Sequence, residues 1–172
     1  LSISVWNYRV LKECRVTFDP SRVVIGAVNE SGKSTLVEAL HHGLFLRSRV
    51  TGPVQKAMLS ELGDGPPGVA IRFEAGERTY EVRKVFAGNH SATTTLQEVI
   101  NGDGVADPAA KLRNDAAEAR LHDLLRAEDI GGGRNVESRL RLQWAHLWIW
   151  QGSSTDDPLS HANGDTCARL LR

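Results

Sequence analysis

The sequence predicts an α/β fold in which a mixed β-sheet carries an antiparallel β subdomain and is flanked by helices. Three observations support this prediction. An apolar run, a glycine-containing loop and a helical repeat follow one another over residues 22–45, two alternating segments joined by a tight turn span 69–83, and leucines recur at helical spacing within 107–127. The length of 172 residues, with 41% hydrophobic and 24% charged residues, indicates one globular domain.

Charge and cysteine content narrow the function classes only slightly. Lysine plus arginine equal aspartate plus glutamate at 21 each, so no global field attracts nucleic acid and any DNA contact needs a local patch. Cys14 and Cys167 have no cysteine or histidine at metal-ligand spacing, which predicts free thiols. No signal-peptide pattern and no apolar run of about 18 residues occurs, so we expect a cytoplasmic protein without a membrane partner.

Two strands are predicted ahead of the glycine loop. Ile3 and Val5, with Tyr8 as a further candidate, lie on one side of the opening strand, and Val16 and Phe18 lie on one side of the second. After a turn, the apolar run 22–25 predicts a buried third strand that leads directly into the loop.

The loop itself fits a P-loop. Its residues are Asn29, Glu30, Ser31, Gly32, Lys33, Ser34 and Thr35. Such a loop points successive N–H groups at phosphate oxygens, and the positive end of the following helix stabilises the same anion. Lys33 would place its charge between the β and γ phosphates, and the Ser34 hydroxyl would ligate Mg²⁺. The usual first glycine of the pattern is Ala27 here; the alternative is an accidental Gly-Lys-Ser at a helix start.

A helix is predicted over 33–45, because Leu36, Leu40 and Leu44 recur at helical spacing. Further along the chain, an antiparallel hairpin with a turn at 75–76 is predicted. Its expected core positions are Val69, Ile71, Phe73, Tyr80 and Val82. The alternation breaks at Lys84, which suggests a β-bulge, and a third strand is expected over 93–99.

A second helix is predicted from Asp107 to about Ala127, with Asp107 as N-cap and Pro108 in the first turn. Its expected buried face consists of Ala117, Leu121, Leu124 and Leu125. Its mixed charges favour a solvated face over a DNA site. These charged residues are Lys111, Arg113, Asp115, Glu118, Arg120, Asp123 and Arg126.

The most apolar stretch contains Trp144, Trp148 and Trp150 and stops at Gln151. Its length and aromatic content predict a buried strand. A tryptophan platform for stacking bases is the alternative.

The chain resembles the N-terminal half of an ABC-type ATPase head of the SMC family, as found in the SbcC-type repair ATPase and its RecF, RecN and OLD-type relatives. Four segments carry the resemblance: the aromatic-arginine segment 7–9, the Walker A segment 24–36, its helical continuation 38–40, and the run 148–152, which is similar to the strand before a Q-loop. Between Arg47 and Arg141 the likeness is one of general layout.

The resemblance implies a site for ATP and Mg²⁺. Backbone amides of 30–34 and the Lys33 ammonium would hold the phosphates, and Thr35 would touch the α-phosphate. Ser34 and Gln151 would ligate Mg²⁺, with Gln151 also sensing the γ-phosphate. Arg9 would approach the nucleotide; a surface ion pair is the equally weighted alternative.

The resemblance also implies partners. The sequence contains neither an apolar run ending in Asp-Glu nor a Leu-Ser-Gly-Gly signature, so this lobe holds no catalytic residue, and hydrolysis requires a C-terminal lobe of the same ATPase. We expect residues 1–172 to be the N-terminal half of the head and 153–172 to lead toward a coiled coil. A second head would dimerise around ATP, and DNA and a nuclease or effector subunit would be further partners.

Three roles are compatible with this pattern. The first is a head that couples hydrolysis to DNA repair, DNA maintenance or defence against foreign DNA. The second is the nucleotide-binding domain of an ABC transporter. In that case a contiguous Leu-Ser-Gly-Gly signature is expected soon after Gln151. The third is a lobe that uses ATP as a clamp without hydrolysing it, for which Ala27 is the motive.

Overall fold

The computed structural model describes residues 1–18, 23–60, 62, 64–88, 90–100, 104–105, 110–131 and 135–144. Within these ranges the chain forms a mixed α/β fold with seven strands and four helices. The strands are β1 Ser2–Tyr8, β2 Leu11–Thr17, β3 Gly68–Ala75, β4 Arg78–Val85, β5 Thr93–Ile100, β6 Gly104–Val105 and β7 Leu112–Arg113. The helices are α1 Lys33–Phe45, α2 Gly52–Met58, α3 Asn114–Leu125 and α4 Val136–Leu142.

One sheet organises the fold. Its strand order is β2-β1-β3-β4-β5-β6, and β7 pairs with β5 beside this path. Every pairing between the described strands is antiparallel. The antiparallel part of the prediction is therefore confirmed, whereas the parallel component of the expected mixed sheet does not form among these strands.

The opening strand buries all three residues expected on its inner side, although Tyr8 is out of step with simple alternation. Ile3 and Val5 are fully buried, as expected. Asn7 has a φ of 48°, and this left-handed conformation interrupts the alternation, so that Tyr8 also turns into the core. Val16 and Phe18 pack partly buried against the same core, which confirms their predicted side of the second strand.

The hairpin and the third strand form as predicted, but the bulge at Lys84 is wrong. Lys84 pairs in regular register with Val69 on one side and Thr94 on the other. The hydrophobic alternation only seems to break here, because a lysine occupies a strand position whose side chain faces the core. It is fully buried because Glu118 neutralises it there.

Helix α1 has the predicted bounds and lies directly on β3. A Cβ atom at Gly43 would lie 2.5 Å from Ile71 Cδ1 and 2.7 Å from Val69 Cγ2, so only glycine permits this approach. Helix α3 packs on β5. Both helices therefore cover the same face of the sheet, the one that buries Ile3 and Ile71.

The predicted start of the second long helix is wrong. Asp107 and Pro108 lie outside the described residues, and Leu112–Arg113 forms strand β7 against β5 before α3 begins at Asn114. Pairing with an available strand edge outweighs local helix preference at this point. The buried face is confirmed at Ala117, Leu121 and Leu125, with Leu124 partly buried.

Two short helices, α2 and α4, were not predicted. Trp144 was expected in a buried strand, but it lies in the turn after α4, with its ring 5.3 Å from that of Phe45 in an edge-on contact. Trp148, Trp150, Gln151 and residues 153–172 lie outside the described residues. None of the described helices has the length and apolarity needed to cross a membrane.

Candidate phosphate-binding site

The segment before the P-loop is not a strand in the part of the chain that the structure describes. We predicted a buried strand at 22–25, and this is wrong for the described residues 23–25, which pair with no strand. Val24 is 95% exposed, and Val23 and Ile25 are also exposed. A strand of this composition is stable only when neighbours complete its hydrogen bonds and cover its side chains, and no described strand lies beside it.

The loop closes through two left-handed residues. Asn29 and Glu30 form a turn in which Glu30 has a φ of 63°, and Gly32 follows with a φ of 91°. The Ser31 amide donates to the Val28 carbonyl at 3.4 Å. A Cβ atom at Gly32 would lie 2.7 Å from Leu11 Cδ2, so both backbone angle and space call for glycine.

Lys33 spans the mouth of this loop. Its Nζ donates to the carbonyl of Ala27 at 2.8 Å and to that of Val28 at 2.7 Å. An ammonium has three donors, so one N–H remains for a ligand in front of the loop. The two carbonyls fix the charge where a phosphate tail would approach.

The start of α1 supplies further donors. The helix begins at Lys33 with Gly32 as N-cap, without a side-chain cap and without an acidic residue in its first turn. The first-turn amides of such a helix have no intrahelical acceptors, and the helix dipole is positive there. Ser34 is exposed and Thr35 partly buried at the same end.

This donor set fits a nucleotide phosphate. The loop and the first turn of α1 contain main-chain amides, the Lys33 ammonium and the hydroxyl-bearing residues Ser34 and Thr35, and no described side chain caps the helix N-terminus. Ser34, which we predicted as a Mg²⁺ ligand, has the hydroxyl that this role needs. Gln151, the other predicted metal ligand, lies outside the described residues.

Arg9 forms the ion pair that the sequence left as an alternative. Its guanidinium donates to both carboxylate oxygens of Glu38 in α1, at 2.6 and 2.7 Å, and its Nε donates to the Ala57 carbonyl at 2.7 Å. The end of β1 is thereby tied to the P-loop helix and to the end of α2. Glu38 was predicted only as part of the helix.

Inside the protein, Tyr8, the chain neighbour of Arg9, contacts a buried pair of histidines, His41 and His42. The Tyr8 hydroxyl lies 2.5 Å from His42 Nδ1, which suits donation from the phenol to a neutral imidazole. Burial, together with the charges of His41 and Arg9, lowers the pKa of His42 to about 3, and burial lowers the pKa of His41 to about 4. Both rings are therefore neutral near pH 7. Two adjacent histidines in an apolar helix were the signal that sequence reasoning missed.

A second buried polar cluster fixes the chain that follows α1. Lys84 Nζ donates to Glu118 Oε2 and to the Leu46 carbonyl, both at 2.7 Å. Glu118 Oε1 accepts from the Ser48 amide at 3.0 Å and from Thr94 Oγ1 at 2.6 Å. Burial alone would raise the pKa of Glu118, but Lys84 and these donors lower it below its ordinary value. Glu118 was predicted on a solvated face, and this is wrong.

Sequence comparison assigns the family. The profile of a family described as an AAA domain matches residues 2–130, about three quarters of the chain. The match includes the P-loop, α1 and the sheet through α3. No curated protein matches the chain. The extent of the profile match, together with the loop geometry, shows that the chain belongs to the AAA domain family and is a P-loop ATPase domain.

Proposed function

We propose that this chain is the ATP-binding lobe of an SMC-like ATPase head, which dimerises around ATP and couples hydrolysis to work on DNA. The observation that carries the proposal is the position of Lys33. Its ammonium is held by two loop carbonyls beside an uncapped helix start, and it keeps one donor for a phosphate. This arrangement suits a triphosphate better than a structural role, because a structural lysine would be paired with a carboxylate.

Each loop residue has a task in this proposal. Amides of 30–34 and Lys33 hold the β and γ phosphates, Thr35 approaches the α-phosphate, and Ser34 ligates Mg²⁺ together with Gln151. Asn29 shapes the turn. Bound nucleotide supplies the scissile phosphoanhydride, and this lobe contributes charge neutralisation and orientation.

Arg9 is engaged away from the nucleotide site. In the structure three of its five N–H groups donate to Glu38 and Ala57, so a phosphate would compete with the Glu38 carboxylate for the charge of Arg9. We propose that its first role is to hold α1 against β1. The helix that presents the P-loop amides is then anchored at its second turn.

The exposed apolar segment 23–25 supports the proposed C-terminal lobe. Exposing three branched side chains beside the P-loop to water is costly, and a strand from a second lobe would pair with this segment and cover it. That lobe would also bring the general base, and a second head would close the nucleotide from the other side. DNA repair, DNA maintenance or defence against foreign DNA in the cytoplasm is the process we propose, with a nuclease or effector subunit as a further partner.

Binding of a fluorescent ATP analogue, with and without the C-terminal half, tests the proposal. We expect Lys33→Ala to weaken binding about tenfold or more, since a charge-assisted contact is lost. Lys56→Ala is the matched control, because Lys56 is exposed near the end of α2 and should leave binding unchanged. Full binding by Lys33→Ala would refute the proposal.

Single-turnover phosphate release by the reassembled head separates hydrolysis from clamping. ATP binding without release would favour the clamp. Release that depends on the C-terminal half would favour the ATPase.

A further inference from the structure

Strand β2 lies at one end of the sheet. Among the strands that the structure describes, β1 is its only neighbour, and its other edge takes part in no backbone hydrogen bond with a described residue. Such an edge presents free N–H and C=O groups to which a further strand can add. The strand is seven residues long and contains neither proline nor glycine, so its backbone is suited to pairing.

The pairing with β1 determines which residues of β2 offer their backbone groups to the open edge. The Phe18 amide donates to the Leu1 carbonyl at 2.8 Å, in the register that also pairs Cys14 with Val5. Positions that bond to the neighbouring strand alternate with positions that do not. Cys14 therefore bonds to β1, and the residues between such positions point their N–H and C=O groups outward. Those residues are Glu13, Arg15 and Thr17.

The charges along this edge are complementary to themselves. Glu13 and Arg15 lie on either side of Cys14, and both are exposed. Within the described ranges neither has an ion-pair partner. When two copies of a strand pair antiparallel about a two-fold axis, residues equally far from the axis face each other. With the axis at Cys14, Glu13 of each copy faces Arg15 of the other.

The same charges disfavour the neighbouring registers. An axis at Glu13 would place two glutamates opposite each other, and an axis at Arg15 would do so with two arginines. A shift that sets an outward residue against one bonded to β1 would leave backbone groups unpaired. The register centred on Cys14 avoids all three faults, because Glu13 and Arg15 both present their backbone groups at the edge.

We propose that β2 pairs with β2 of a second copy of this chain, antiparallel and centred on Cys14. The sheets of the two copies then continue into each other, held by backbone hydrogen bonds and by two Glu13–Arg15 pairs between copies. The P-loop takes no part in this contact. It therefore forms without nucleotide, unlike the dimerisation around ATP in the proposed function.

Sedimentation equilibrium of the chain without nucleotide, at concentrations up to about 1 mM, tests the proposal. We expect a concentration-dependent dimer. Glu13→Arg and Arg15→Glu should each raise the dissociation constant about tenfold, since two attractive pairs become two repulsive ones. The double variant with both changes should return to nearly the wild-type value, which separates charge pairing from misfolding. Glu74→Arg is the matched control, because Glu74 is exposed on β3, which β1 separates from the open edge.

Cross-linking through Cys14 tests the register. At a position where paired strands exchange no hydrogen bonds, opposing Cα atoms lie about 4.5 Å apart, within the range of about 4.4 to 6.8 Å that a disulfide spans. In a Cys167→Ser background, diamide should join two copies through Cys14, taking up the two electrons and two protons that the thiols lose. Glu13→Arg should reduce the yield of linked dimer about as much as it weakens association.

The opposite results overturn the inference and are distinguishable from failure of the proposed function. A chain that stays monomeric up to 1 mM without nucleotide, or a double variant no better than the single ones, contradicts the edge contact. A dimer that needs ATP and is lost in Lys33→Ala contradicts it as well, while supporting the proposed function. Loss of the Cys14 cross-link on addition of the C-terminal half would show that this lobe occupies the edge instead of a second copy.

Discussion

Lys84 in β4 and Glu118 in α3 form a fully enclosed ion pair, with 2.7 Å between Nζ and Oε2 and side chains only 0% and 4% exposed. Three further groups complete it, because the lysine also donates to the Leu46 carbonyl and the glutamate also accepts from the Ser48 amide and the Thr94 hydroxyl. The pair therefore joins the sheet, α3 and the chain leaving the P-loop helix.

Breaking this pair should be strongly destabilising. We expect Lys84→Met to lower the free energy of unfolding by about 3 to 5 kcal/mol, since it leaves a buried carboxylate without its counter-ion. The double variant Lys84→Met with Glu118→Leu should recover part of the loss, because no charge then remains buried. Denaturant unfolding measures both. Equal stability of the single and double variants would contradict this account.

The P-loop glycine should tolerate no side chain. Gly32→Ala places a methyl group at a φ of 91° and 2.7 Å from Leu11 Cδ2, so we expect it to lower stability by about 1 to 2 kcal/mol and to abolish ATP binding. Gly26→Ala is the control, because nothing lies within 4 Å of its Cβ position and its φ is not left-handed. It should shift stability by less than about 0.5 kcal/mol. Similar losses in both variants would show that the loop conformation differs.

The buried histidines should make stability pH-dependent below pH 6.5. Their pKa values fall from 6.5 in the unfolded chain to about 4 for His41 and about 3 for His42, so in this range the unfolded state binds more protons. The free energy of unfolding should therefore drop as pH falls from 6.5 toward 4, by about 1.4 kcal/mol per pH unit for each histidine. Above pH 6.5 both states are neutral at these sites and the contribution is complete.

Urea unfolding at pH 7, 6 and 5 measures this slope. His42→Gln keeps an acceptor for Tyr8 and should reduce the slope, and adding His41→Gln should reduce it further. Burial also lowers the pKa of His122, so a smaller dependence should persist in the double variant. A wild-type slope of zero between pH 6 and 5 would contradict the buried neutral pair.

The Arg9–Glu38 pair should contribute measurable coupling. Its geometry is bidentate and it is partly buried, so a double-mutant cycle of Arg9→Ala and Glu38→Ala should give a coupling energy near 1 kcal/mol. The exposed pair Arg141–Glu137 should give about 0.3 kcal/mol in the same measurement. A value for Arg9–Glu38 no larger than that of the surface pair would rule out an anchoring role.

The sequence by itself determined the elements whose signals are local. The P-loop residues, the bounds of α1 and the hairpin followed from glycine spacing, helical repetition and period-two alternation, because backbone preference and side-chain periodicity act over neighbouring residues. The same periodicity misled at Lys84, where a charge stands in a core position, and at Glu118, which was placed on the solvated face.

Only the tertiary structure decided how distant residues complete one another. Contacts between segments far apart in the chain decide whether Lys84 contacts Glu118, whether Arg9 contacts Glu38, and whether Val24 pairs with a neighbouring strand. Those contacts set the free-energy cost of burying a charge or exposing a strand. A short stretch of sequence therefore cannot reveal that cost. For this reason the loop was predictable, while its anchoring and the exposure of the segment before it were not.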